Sequence, residues 1–320
     1  MRRARPRRGR LVGPVFVMAV AVVAWLALAD GTSRTPAPPA AAVNAPPALK
    51  HRAQKIAPSR HAPPPGISLF GKKPLQVRFK RPPRAGLVFD VRTGQVLWAR
   101  APLRRLPIAS TTKIMTAILV VERTRASDRS RITRDALHYT GSGVGVLPKH
   151  KSVPVEGLLA GMLLPSGNDA AIALADHVAG SQPRFVRLMN QRARAMGLGC
   201  THYTSPDGLK DSNLSCPADL AALARVAMGK VRIARLVRQR QAHVRFPIKT
   251  GHLWLNSTNP LLHMGYPGTI GLKTGSTNKA GHCFVGIVRR GHREYGVVLL
   301  HSPDTGSQSK KLFDAAFRLG

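Results

Sequence analysis

The chain has 320 residues, 43% hydrophobic and 5% aromatic, and carries 50 Lys/Arg against 14 Asp/Glu for a formal charge of +36. Such a surface is drawn to polyanions, whether phospholipid head groups, anionic wall polymers or nucleic acid. Scarce aromatics and the lack of any zinc-finger, RRM or KH pattern argue against a specific nucleic-acid reader.

Six arginines within the first ten residues precede an uncharged run, 11–29. Arginine before an apolar run keeps the N-terminus in the cytoplasm and sends the rest across the membrane. Ala27-Leu28-Ala29 looks like a signal-peptidase site, yet 19 residues exceed a usual signal core and nearly span a bilayer. Residues 1–30 are therefore expected to be a signal peptide or, slightly favoured, an N-terminal membrane anchor. Nine prolines in residues 31–66 cannot build a core. Residues 31–84 are read as an extended, basic tether, whose proline-rich part, 31–66, would reach on the order of 100 Å at about 3 Å per residue. A folded domain is expected over 85–320, with a net charge of +20.

Within that domain, residues 86–90 and 95–99 flank Thr93-Gly94 and predict a β-hairpin. An apolar run, 114–121, predicts a helix. Gly141-Ser-Gly-Val-Gly145 is a poor nucleotide loop, because no strand feeds it and no Lys-Ser/Thr follows. Helices are expected over 154–164, 168–178 and from Pro183 to a Gly197 cap. A fourth starts near Pro217, capped by Ser215. Strands follow at 243–248, 270–274, 282–289 and 294–301, the last two joined by Arg290-Gly-His292. A helix over 309–318 closes the chain. Strands at both ends with helices between them imply one α/β domain whose sheet joins the first hairpin to the last strands.

Three motifs carry the chemistry. Ser110 and Lys113 stand three apart at a helix start, a spacing that brings an amine beside a hydroxyl and can activate it. Ser166 and Asn168 precede a helix, where both types also serve as simple caps. Lys273-Thr274-Gly275 ends a strand and offers a cation and a hydroxyl to a carboxylate. A second Lys-Thr-Gly, at 249–251, follows Phe246-Pro247 and is read as a solvated bystander.

Ser-x-x-Lys, Ser-x-Asn and Lys-Thr-Gly in this order form the signature of active-site serine penicillin-recognising enzymes. Over about residues 84–320 the chain resembles the low-molecular-weight penicillin-binding proteins, specifically serine-type D-alanyl-D-alanine carboxypeptidases. Pro-Ile-Ala-Ser-Thr-Thr-Lys-Ile-Met-Thr, Leu-Pro-Ser-Gly-Asn-Asp-Ala-Ala, Thr-His-Tyr…Asp-Gly-Leu and Gly-Leu-Lys-Thr-Gly-Ser-Thr extend the likeness. The resemblance implies a β-lactamase/DD-peptidase-like mixed α/β fold, an antiparallel sheet flanked by a helical cluster. It implies Ser110 as nucleophile, Lys113 as base, Ser166 as proton relay and Asn168 as the group that orients Lys113. Lys273, Thr274, Gly275 and Ser276 would bind substrate, with the Ser110 and Ser276 amides as the oxyanion hole. The expected reaction removes the terminal D-Ala of a peptidoglycan stem peptide, needs no cofactor or metal, and is blocked covalently by β-lactams.

Departures accompany the likeness. No C-terminal β domain is expected, and an arginine common before the last helix in this family is replaced around Asp304-Thr305-Gly306. A D,D-endopeptidase shares the motifs. A β-lactamase is disfavoured, because none of the three glutamates is expected to face Ser110, and a non-catalytic wall-binding module would not need all three motifs. Cys200 and Cys216, bracketing a short loop in an exported chain, are expected to form a disulfide, and Cys283 to remain a buried thiol.

Overall fold

A computed structural model describes residues 62–69 and 75–319. They belong to one compact unit, Ile56–Gly320. The expected N-terminal anchor and most of the tether lie outside the described residues.

Continuous apolar runs, buried on both faces, shape the opening hairpin, β1 (Ala85–Asp90) and β2 (Val96–Arg100). A two-residue strand, β3 (Leu106–Pro107), leads into a 3₁₀ turn, Ala109–Thr112, and then α1 (Lys113–Arg123). Helix α1 is buried from Lys113 to Val120, most of that stretch being apolar. The polar stretch that follows contains β4 (Arg129–Arg131), α2 (Arg134–Leu137) and β5 (Ser152–Pro154), with β4 and β5 paired. Then come α3 (Val155–Leu163), α4 (Asn168–Ala179) and α5 (Gln182–Ala195). Gly180 ends α4 at φ +74°, the left-handed cap that glycine supplies without strain.

Strand β6 (Leu214–Ser215) pairs with β3 and precedes α6 (Pro217–Met228) and α7 (Val231–Val237). The N-cap of α6 is Cys216 and not the expected Ser215. The Ser215 hydroxyl instead meets Thr201 Oγ1 at 2.8 Å. Strands β7 (Gln241–Arg245) and β8 (His252–Asn256) form a separate hairpin. The expected 243–248 strand stops early because Phe246 and Pro247 turn away into the connection. After α8 (Pro260–His263) come β9 (Thr269–Thr277), β10 (Gly281–Arg290) and β11 (Arg293–Ser302). The last helix, α9 (Thr305–Phe317), starts four residues before the expected position because Asp304 caps it, accepting from the Ser307 amide.

The main sheet runs β2-β1-β11-β10-β9, wholly antiparallel, so the chain's first hairpin pairs with its last strands as the pattern implied. Alternate residues face two cores. Leu87, Phe89, Val298 and Leu300 join the helical cluster around α1, α4 and α6, whereas Val88, Val297 and Leu299 pack under Leu312 and Phe313 of α9. Packing begins upstream of the expected boundary at 85. Ile67 and Leu75 are buried, and the Trp98 indole N–H donates to the Val77 carbonyl at 3.2 Å. Arg225 clasps this entry segment, donating to the carbonyls of Gly66, Val91 and Arg92.

Candidate active site

The 3₁₀ turn, the start of α1, the start of α4 and the edge strand β9 converge on one cleft of about 330 Å³. It is lined by Ser110, Ser142, Ser166, Thr274, Gly275 and Ser276, among others. Ser110 sits in the 3₁₀ turn itself, preceded by Ala109 at φ +46°, a left-handed conformation that costs a non-glycine residue energy. Lys113, the first residue of α1, is wholly buried, and its Nζ meets three oxygens. These are Ser110 Oγ at 2.8 Å, Asn168 Oδ1 at 2.7 Å and the Asp207 carbonyl at 2.7 Å. Burial pulls its ammonium down to about 8, against the opposing attraction of the Asp207 and Asp169 carboxylates.

Asn168 and Ser166 are not spent on capping α4, whose N-cap is Gly167 with no side-chain bond. The Asn168 amide donates to the Thr140 carbonyl at 2.6 Å, so its oxygen is turned to Lys113. Ser166 is held at φ +69° and is 7% exposed, at the cleft wall. The glycine-rich 141–145 segment packs as part of this wall. The Asp169 carboxylate accepts from the Val144 and Gly145 amides, and the Ser142 carbonyl accepts from the Asn168 amide.

Strand β9 approaches the nucleophile turn through Gly275. A Cβ there would lie 2.9 Å from both the Ser110 nitrogen and the Ile108 carbonyl, so only glycine permits the contact. Thr274 Oγ1 meets Thr258 Oγ1 at 2.5 Å, and Ser276 Oγ meets His282 Nδ1 at 3.2 Å. Lys273 precedes Thr274 on this strand. Its side chain is buried beneath the strand, donating to the Thr274 carbonyl at 3.1 Å, and it is not among the residues that line the cleft. Burial and the neighbouring Lys113 charge hold its ammonium well below the usual lysine range. The other Lys-Thr-Gly lies in the β7–β8 connection, with Lys249 exposed and away from the cleft.

Two contributors were not anticipated. The Asp207 carbonyl is one, brought in by Gly208 at φ +84°, where any Cβ would strike the Ala109 carbonyl. The only trace of it in the sequence was the Asp-Gly-Leu segment. Thr258, after β8, is the other. All three glutamates are held in ion pairs, Glu122 with Arg192 and Lys230, Glu156 with Arg232 and Arg235, and Glu294 with Arg289. None lines the cleft. A disulfide joins Cys200 and Cys216. Cys283 is free and buried, its thiol pushed up to about 11 by burial.

The family model for peptidase S11, D-alanyl-D-alanine carboxypeptidase, matches residues 81–303. D-alanyl-D-alanine carboxypeptidase DacB2 of Mycobacterium tuberculosis is 36% identical over 249 residues, 74% of this chain and 83% of that protein. D-alanyl-D-alanine carboxypeptidase DacF of Bacillus subtilis is 31% identical over 243 residues, 73% of this chain. That match spans 62% of the Bacillus protein, less than two thirds of its length. The crystal structure of the Streptomyces K15 DD-transpeptidase superposes with a TM-score of 0.71 at 31% identity, over 76% of this chain and 100% of that one.

Proposed function

Because the chain belongs to the D-alanyl-D-alanine carboxypeptidase family of serine peptidases, we propose that it removes the terminal D-Ala from peptidoglycan stem pentapeptides through an acyl-enzyme on Ser110. The observation that carries this reading is the Lys113 amine held 2.8 Å from the Ser110 hydroxyl by two further oxygens.

In the neutral amine, two N–H groups donate to Asn168 Oδ1 and the Asp207 carbonyl, leaving the lone pair for the Ser110 proton. Ser110 Oγ attacks the carbonyl of the penultimate D-Ala as Lys113 takes that proton. Negative charge develops on the carbonyl oxygen, where the Ser110 and Ser276 amides would stabilise it. Ser166 passes a proton to the leaving D-Ala nitrogen, the C–N bond breaks, and water then releases the shortened peptide from Ser110. Thr274 and Thr258 would donate hydroxyls to the substrate carboxylate. Lys273 donates to the Thr274 carbonyl and so would steady the strand that carries Thr274.

The decisive test pairs fluorescent-penicillin labelling with mass analysis of digested muropeptides. Wild type should carry the label and release D-Ala from pentapeptides, and Ser110→Ala should do neither while keeping its melting temperature. Labelling of Ser110→Ala would sink the assignment. Cleavage of cross-linked dimers in the same digest would point to the endopeptidase reading.

The reading extends to place and partners. Export, retention at the extracytoplasmic membrane face by residues 1–30, and a basic, proline-rich tether from residue 31 to the packed segment around Ile67 are supported by the arginine-led apolar run and the proline content. The net charge of +20 over 85–320 supports a weak affinity for anionic wall polymers. Recovery of the protein in the soluble fraction of lysed spheroplasts would count against the anchor.

A further inference from the structure

Strand β9 is the edge of the sheet, since β10 pairs with one side of it only. Under the proposed reaction, which this inference rests on, the stem peptide lies along that free edge. Its terminal carboxylate is then at Thr274 and its scissile carbonyl at Ser110. Extended chains advance roughly 3.3 Å per residue, so the third stem residue, two before the terminal D-Ala, falls about 7 Å further along. That is the level of Ser276 and Thr277.

At that level stands a carboxylate. Thr277 Oγ1 donates to Asp211 Oδ1 at 2.9 Å, which orients the group and leaves Oδ2 without a hydrogen bond among the described residues. Asp211 is half-buried. Acids are scarce in this strongly basic chain, and several are neutralised by arginine or lysine, as with Glu122, Glu156, Glu294 and Asp314. No ion pair reaches Asp211 among the described residues, although Lys210 adjoins it and Lys279 lies in the β9–β10 turn. An oriented, unneutralised carboxylate at the end of a peptide track is suited to receive an amine from the peptide. Stem peptides carry a diamino acid at the third position, and its side chain bears such an amine.

We propose that Asp211 is a specificity residue that selects stem peptides whose third residue carries a free side-chain amine. The test uses two synthetic pentapeptides ending in Lys-D-Ala-D-Ala and Nε-acetyl-Lys-D-Ala-D-Ala, with D-Ala release measured for each. Wild type should favour the free amine by roughly fivefold in kcat/KM, the scale of a partly exposed ion pair. Asp211→Asn keeps an acceptor for Thr277 but not the charge, and should bring the ratio to about one. Asp211→Glu should restore part of it. A wild-type ratio near one, or an unchanged ratio in Asp211→Asn, would overturn the inference alone. Penicillin labelling in the same samples reports a folded site. Should Asp211→Asn fail to label, Thr277→Ala, which frees the carboxylate, should lower the ratio instead, and an unchanged ratio there would equally overturn it. Labelled wild type that releases D-Ala from neither peptide would overturn the proposed reaction, and this inference with it.

Discussion

Lys113 is where a single residue sets the working pH. Burial holds it at about 8, and the neutral amine is the form with a lone pair for Ser110. Its population grows as pH rises through that value, so the rate of penicillin acylation should climb from pH 6.5 to 9 with a midpoint near 8. Stopped-flow acylation that stays flat over this span would remove Lys113 as the base. The duplicated Lys-Thr-Gly gives a second residue-scale contrast. Lys249→Ala removes an exposed cation and should leave kcat/KM within a few-fold of wild type. Lys273→Ala removes a buried amine and leaves the Thr274 carbonyl it bonds unpaired, and should cost about 1.5–3 kcal/mol, roughly ten- to a hundredfold. Steady-state kinetics on a D-Ala-D-Ala peptide separates the two. The side chains of this site were legible because each motif names its own chemistry. The Asp207 oxygen was not, since a backbone carbonyl leaves no mark on residue type, and only the fold brings it to Lys113.

Among the elements, the contact between β9 and the nucleophile turn is the most exacting. Gly275→Ala would set a methyl 2.9 Å from the Ser110 nitrogen, and both facing atoms are backbone, so the turn must shift. A displacement of this size should slow acylation tenfold or more while the melting temperature falls only modestly, which labelling rates and thermal unfolding would distinguish. Strongly patterned elements were readable from sequence: the β1–β2 and β10–β11 hairpins, α1 and α4. Strand β8 and helix α7 were not. In β8, His252, Trp254 and Asn256 face outward, and only Leu253 and Leu255 mark the buried side. Helix α7 has seven residues, of which two are arginine and only Ile233, Leu236 and Val237 are buried, too few turns for a clear period. The Cys216 cap was hidden for a related reason, because the hydroxyl of Ser215 found Thr201 before it could find the helix.

For the molecule as a whole, the Cys200–Cys216 disulfide closes a 16-residue separation next to α6. Replacing both cysteines by serine should cost up to about 3 kcal/mol in a denaturant titration and leave acylation of the folded fraction intact, because neither residue lines the cleft. A loss of acylation without loss of stability would mean the bridge shapes the site directly. The sheet has a different consequence, in time and not in stability. Ala85 pairs with Leu300, so the central strands meet across some 200 residues of intervening chain, a closure that is entropically slow and of high contact order. During synthesis, β1 and β2 emerge first and wait with an open edge until β11 exists to fill it. The helical cluster, built from local contacts, can form in that interval and hold Ser110, Lys113 and Asn168 on neighbouring helices. The cleft cannot be complete until β9 arrives, so the catalytic group of atoms is assembled last, by the same late strands that finish the fold.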